Sequence, residues 1–135
     1  MKISLNYKTI IFSTAIMISF YSVSCRKTRY SQNIERTWKV DNYYKNGVDS
    51  TANFNVMFKG YSIIFNNNNG FVERFIAAGN TATTVRGMWT LLNKSKTLQL
   101  ADSIRTRLYS IDKLKIKSMI LKKDDLGEEI HYSPE

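Results

Sequence analysis

From Thr37 onward the chain never sustains a helical repeat; it runs in short alternating segments broken by turn residues, and this limits what it can fold into. Trp38-Lys39-Val40-Asp41-Asn42-Tyr43-Tyr44 is the first segment, ended by Asn46-Gly47. Phe54, Val56 and Phe58 alternate with Asn55, Met57 and Lys59, a half-buried strand pattern for which a short helix is the other solution. Tyr61–Phe65 and Phe71–Ile76 flank Asn66-Asn67-Asn68-Asn69-Gly70, where asparagine and glycine accept positive φ cheaply, so a tight hairpin is expected. Val85–Asn93 and Thr97–Ala101 form a second hairpin across Lys94-Ser95-Lys96. Ile104–Leu108 and Leu114–Ser118 alternate cleanly, and Glu128–Tyr132 follows the turn Asp124-Asp125-Leu126-Gly127. Turns at this spacing, about every 8–12 residues, predict an all-β antiparallel barrel or sandwich.

The alternation also assigns faces. Arg105, Arg107, Lys115 and Lys117 fall opposite Ile104, Leu108, Leu114 and Ile116, so an apolar inside places a basic stripe outside. That stripe reads as solubilising charge rather than as a docking surface. Trp38, Phe65, Phe75 and Trp89 are expected to point inward, as core or as the lining of a ligand cavity.

Before Thr37 the chain has a different character. Met1–Lys8 carries two lysines and no acid, and a mostly apolar run from Ile10 to Ser24 follows. Lys8 and Arg26 bound an interval too short, and too diluted by serine and threonine, for a membrane-spanning helix of about 20 residues. It has the form of a secretory signal. The run ends in Ser22-Val23-Ser24-Cys25, which resembles the lipobox of bacterial lipoproteins, whose cysteine receives a diacylglyceryl group and becomes the new N-terminus. Ser22-x-Ser24 also satisfies the small-x-small rule of ordinary signal peptidase, and both routes cut the Ser24–Cys25 bond.

Cys25 is the only cysteine, which excludes an intrachain disulfide and favours lipidation over a bare exported thiol. Residues 1–24 are therefore expected to be a lipoprotein signal peptide and residues 25–33 a lipidated cysteine with a polar tether. Residues 34–135 are expected to be one domain. Arginine rather than aspartate follows the cysteine, and by resemblance to sorted lipoproteins this implies the outer membrane, at its periplasmic face, with the cell surface as the other option.

Loss of residues 1–24 removes two lysines and no acid, so the net charge falls from +9 to +7. An exported, membrane-bound domain of this sign meets anionic headgroups or envelope polysaccharide rather than nucleic acid. Chemistry-bearing sets are missing. His131 is the only histidine, so neither a His–His or Cys–His metal set nor a histidine triad can be assembled around a second one, and a surface or edge role is expected for it. Asp124-Asp125 and Glu128-Glu129 lack the alternating oxygen-ligand spacing of calcium loops. There is no phosphate-cradling glycine loop, G-x-S-x-G or H-E-x-x-H, so neither enzyme, metal nor cofactor is expected.

Gly87-Met88-Trp89-Thr90-Leu91, with Leu98 and Leu100 beyond the turn, is similar to the G-x-W strand and its partner in bacterial lipocalin-like lipoproteins. Tyr109–Ile116 resembles the stretch before their penultimate strand, and Trp38 sits where their first strand carries a tryptophan, although Arg36 replaces the glycine expected there. The resemblance implies an up-and-down barrel of about eight strands around a small apolar cavity. It implies a non-enzymatic binder of a small apolar ligand or an envelope protein, held to the membrane through Cys25. The alternative is a cavity-free structural or interaction module of an envelope complex.

Overall fold

The computed structural model describes residues 30–135; the leader and Cys25 lie outside the described residues. Nine antiparallel strands follow a helical turn at residues 30–34. They are β1 (Thr37–Lys45), β2 (Val48–Asp49), β3 (Phe58–Phe65), β4 (Gly70–Ala77), β5 (Thr81–Leu92), β6 (Thr97–Asp102), β7 (Thr106–Lys115), β8 (Ser118–Lys123) and β9 (Glu128–Pro134). β2 is a two-residue return pairing only with the end of β1. The other eight pair in chain order, and β9 closes back onto β1 from Trp38↔Pro134 to Lys45↔Glu128. The result is the expected eight-stranded up-and-down barrel. Full closure removes sheet edges, which a sandwich would leave open.

The turns follow their chemistry. Asn46 and Gly47 both take positive φ, 51° and 78°, the pair of conformations that a two-residue hairpin needs. Asn69 at 62° and the run Asn93, Lys94, Ser95 at 51–66° end the two predicted hairpins. Phe54, Val56 and Phe58 resolve in favour of the helix: Thr51–Met57 is helical, with Phe54 buried and Val56 and Met57 outside. This helix fills a gap, because on that side β1 pairs with β3 only over Thr37–Lys39 and with the short β2 only at Tyr44 and Lys45, which leaves Val40–Tyr43 without a strand. Tyr43 N–H donates to Thr51 Oγ1 and Ser50 N–H to the Tyr43 carbonyl, so unpaired β1 backbone is capped by the segment leading into the helix.

Strand directions define two ends. The proximal end carries residues 30–36, the turns at 66–69, 93–96 and 116–117, and the C-terminus. The distal end carries the Asn46-Gly47 turn, the Thr51–Met57 helix and the turns at 78–80, 103–105 and 124–127. Ile34 and Trp38 seal the proximal end, both fully buried, with Trp38 Nε1 donating to the Ile34 carbonyl at 2.9 Å. Phe65, Phe71, Trp89, Leu98, Leu100, Met119 and Leu121 fill the interior, none more than 3% exposed. Gly87 is required by this packing: a Cβ there would lie 2.2 Å from the Ala101 carbonyl oxygen and 2.6 Å from the Phe71 ring.

The basic stripe is not as the alternation suggested. Arg107 is buried and faces inward with Tyr109, whereas Ile104, Leu108 and Ile116 are 90%, 52% and 62% exposed. β7 runs unbroken from Thr106 to Lys115, bulged between Ile111 and Lys113, so the expected Leu114–Ser118 strand instead crosses the turn at 116–117 into β8, a strand the alternation did not give. A bulge inserts one residue and inverts the alternation beyond it. Leu108 therefore points out while Leu114, in the same sequence phase, packs against the core. Lys115 and Lys117 are exposed, as expected.

Candidate functional site

Within the barrel the distal half differs from the proximal half in kind. β4 presents Phe71, Glu73 and Phe75 to the interior by strict alternation, and β7 presents Arg107 and Tyr109. Glu73 and Arg107 meet as a two-point pair, Nη1 to Oε1 at 2.8 Å and Nη2 to Oε2 at 2.7 Å. Tyr61 donates its hydroxyl to Glu73 Oε1 at 2.6 Å, Asp102 stands 3.7 Å from Arg107 Nη2, and the guanidinium lies over the Phe71 ring. Burial opposes the arginine's charge, but the hydrogen bonds and charge of Glu73 outweigh it and hold the guanidinium pKa above its ordinary value. Asp102 accepts the N–H groups of Ile104 and Arg105, which lowers its carboxyl pKa. Arg107 Nε is buried without a partner.

Above this pair sits a cluster of rings. Phe54 lies 5.0 Å from both Tyr43 and Phe58 and 5.5 Å from Tyr61; Phe75 lies 5.2 Å from Phe58 and 6.1 Å from Tyr61. Edge-to-face and tilted contacts of this kind favour packing beyond area burial alone. Phe58, Tyr61 and Phe75 are half-buried, so the cluster is the part of the interior that reaches solvent. Burial, with neighbouring tyrosines and the Glu73 charge, pushes the hydroxyl pKa values of Tyr61 and Tyr132 well above the usual tyrosine range. Tyr43 is pushed up to about 12 by burial and by its hydrogen bond to Glu128. These hydroxyls remain neutral donors at physiological pH. The constellation is suited to packing an apolar body beside a neutralised polar pair; it presents no free nucleophile or base.

The family follows from sequence and shape together. Residues 34–121 match the model of the lipocalin-like domain. This chain belongs to the lipocalin-like domain family. Its fold is similar to a lipocalin-like protein from Bacteroides uniformis, at TM-score 0.62 and 11% identity, over 76% of this chain and 99% of that one. It is also similar to an uncharacterised protein from Bacteroides eggerthii, at TM-score 0.59 and 11% identity over the same shares. No curated protein matches the sequence. The lipocalin-like barrel is a binding-protein type of architecture.

The lipocalin-like barrel divides the four aromatics expected inside. Phe65 and Trp89 pack edge-to-face at 5.9 Å toward the proximal end, where Trp89 Nε1 donates to the Asn66 carbonyl, and Trp38 closes that end. Phe75 alone lies in the distal ring cluster. Alternation did not single out Glu73 or Tyr61, and it placed Arg107 outside. A signal for Glu73 was present, since it shares the phase of Phe71 and Phe75; the signal for Arg107 is masked by the bulge.

Outside the barrel, a concavity of about 540 Å³ is lined by Tyr44, Asn46, Lys122, Asp124, Glu129 and His131, among others. His131 Nε2 lies 2.6 Å from Glu129 Oε1, and that bond, with Lys122 nearby, lowers the Glu129 pKa. Among the described residues no group of three or more His, Cys, Asp or Glu side chains could hold a metal ion.

Proposed function

We propose that this lipocalin-like chain is a lipid-anchored, non-enzymatic binding protein of the bacterial outer membrane, facing the periplasm, that takes a small apolar ligand at the distal end of its barrel. The observation that carries the reading is the half-buried ring cluster of Phe54, Phe58, Tyr61 and Phe75 at one end of a barrel sealed at the other. Phe75 is the ligand contact among the four aromatics first considered. Trp38, Phe65 and Trp89 support the barrel from its closed end. The inward charges are already paired to each other, which favours binding over catalysis.

A solvatochromic apolar dye such as N-phenylnaphthylamine is expected to bind saturably and to be displaced by aliphatic competitors. Phe58→Ala and Phe75→Ala should each weaken binding about ten-fold or more while leaving the β-type circular dichroism unchanged, since each removes a large apolar contact. The packing of Phe65, Phe71, Trp89, Leu98, Leu100, Met119 and Leu121 in the interior, none more than 3% exposed, supports a second reading, a cavity-free interaction module. A folded protein that binds no apolar probe would decide for that module.

Anchoring is tested separately. Mass spectrometry of the processed N-terminus is expected to find Cys25 carrying diacylglyceryl, and Cys25→Ser should lose that mass and leave the protein unprocessed or soluble. More than one acyl chain is needed for stable attachment, because a single chain gives only marginal binding. An unmodified cysteine on the mature wild-type protein would sink the anchoring half of the reading.

A further inference from the structure

The proximal end gathers cations that the sequence order keeps apart. Lys94 and Lys96 stand on the β5–β6 turn, Lys115 and Lys117 beside the β7–β8 turn, and all four are exposed. None of them is in an ion pair among the described residues, where the pairs formed involve Lys39, Lys45, Arg107, Lys122 and His131. The two turns are held in place: Ile111 N–H donates to the Lys96 carbonyl at 2.8 Å, and the Arg36 guanidinium donates to the Ile116 carbonyl. Between Lys115 and Lys117, Ile116 stands 62% exposed, beside a concavity lined by Asn33 and Leu114. The distal turns and their flanks carry Asp49, Asp102, Asp124, Asp125 and Glu128. Those acids stand among Lys45, Lys59, Arg105 and Lys123, so the barrel is polarised along its axis, basic where the chain enters and mixed in charge at the far end.

The chain length outside the barrel fixes which end can reach a membrane. Cys25 precedes Tyr30 by five residues, a reach of at most about 18 Å even fully extended. A nine-residue strand such as β1, tilted as barrel strands are, sets the distal end roughly 20–25 Å further away. We propose that the proximal end is a docking face for an anionic lipid surface, with Lys94, Lys96, Lys115 and Lys117 against the headgroups and Ile116 entering the interface. The occupant rests on the anchoring reading above; the charge distribution does not. Docked this way, the distal end and its ring cluster point away from the bilayer and stay open. The stripe drawn from alternation alone does not serve this role, because Arg107 is interior and Arg105 belongs to the distal end.

The test removes the anchor so that the face is measured alone. Processed protein carrying Cys25→Ser is mixed with vesicles of phosphatidylcholine, with or without phosphatidylglycerol, and bound protein is measured by flotation at low and high salt. Binding to the anionic vesicles is expected to exceed that to the zwitterionic ones about ten-fold or more and to be lost in high salt, where screening shortens to a few ångströms. Replacing all four lysines by glutamine should abolish the difference with circular dichroism unchanged, whereas Lys59→Gln with Lys123→Gln at the distal side should not. Ile116→Ser should weaken binding to the anionic vesicles at low salt. Equal binding to both vesicles would overturn the proposal. So would a fourfold variant that binds like its parent, or a loss that follows neutralisation of Arg26, Lys27 and Arg29 instead. The acyl mass on wild-type Cys25 is read independently, so a failed anchor and a failed docking face give different results.

Discussion

Arg107→Met is expected to remove most of the barrel's stability, about 3–5 kcal/mol, because it leaves the Glu73 carboxylate buried without its counter-charge. Glu73 and Arg107 are 3% and 9% exposed, and each of the two guanidinium nitrogens that meet Glu73 takes one of its oxygens. Tyr61 supplies one further donor, which does not neutralise the charge. Glu73→Gln should be damaging for the opposite reason, a buried guanidinium left facing an amide. The double variant Glu73→Leu with Arg107→Met is expected to recover most of the loss, since paired buried charges are commonly replaceable by apolar residues of similar volume at little net cost. Urea unfolding reads all three. With a slope of about 1–3 kcal/mol per molar urea, the single variants should move the midpoint by roughly 1–5 M, and the double variant far less. A midpoint for Arg107→Met equal to that of the parent would show that the pair does not form in solution.

Trp89→Ala is expected to cost about 3–5 kcal/mol. The indole is 3% exposed, packs on the Phe65 ring, and donates Nε1–H to the Asn66 carbonyl at 3.1 Å, while its backbone N–H donates to the Asn69 carbonyl at 2.7 Å. It therefore fills the core and also pins the Asn66–Asn69 turn from inside. Trp89→Phe separates these roles. It keeps most of the ring and loses the side-chain hydrogen bond at a cost of about 1 kcal/mol, because the exposed Asn66 carbonyl still accepts the Asn69 N–H. Thermal unfolding should rank the three proteins parent, Trp89→Phe, Trp89→Ala, with a domain of this size shifting about 4–8 °C per kcal/mol. An alanine variant that melts with the parent would place the indole outside the core and break the assigned β5 register.

These two sites share a structural consequence. The interior is held by side chains that also define the two ends: Trp38 and Trp89 stabilise the proximal closure, and the Glu73–Arg107 pair underlies the distal ring cluster. Ligand-directed variants are thus best made at Phe58 and Phe75, which are half-buried and only partly tied into the core. A loss of dye binding there can be separated from unfolding.

What the sequence determined by itself is the all-β class, most of the strands and turns, and the family. Period-two alternation is a local property of a half-buried strand, and Asn-Gly turns need positive φ wherever they occur, so both are legible without knowing any partner. Close approach at Gly87 was legible too, since a glycine inside a strand marks a place where neighbours come near, here Ala101 and Phe71. Three features required the tertiary structure. The Phe54 segment became a helix because β1 has no strand on its β3 side over Val40–Tyr43, a vacancy created by barrel closure rather than by the segment. Arg107 turned inward because the Ile111–Lys113 bulge inverts the phase of β7, and a one-residue change of register carries every side chain to the other face. An inward arginine is tolerable only where a distant carboxylate meets it, and Glu73 lies 34 residues away in the chain. The polarity of the barrel likewise emerged only on folding, since antiparallel connection sends alternate turns to opposite ends and sorted the lysine turns from the aspartate turns.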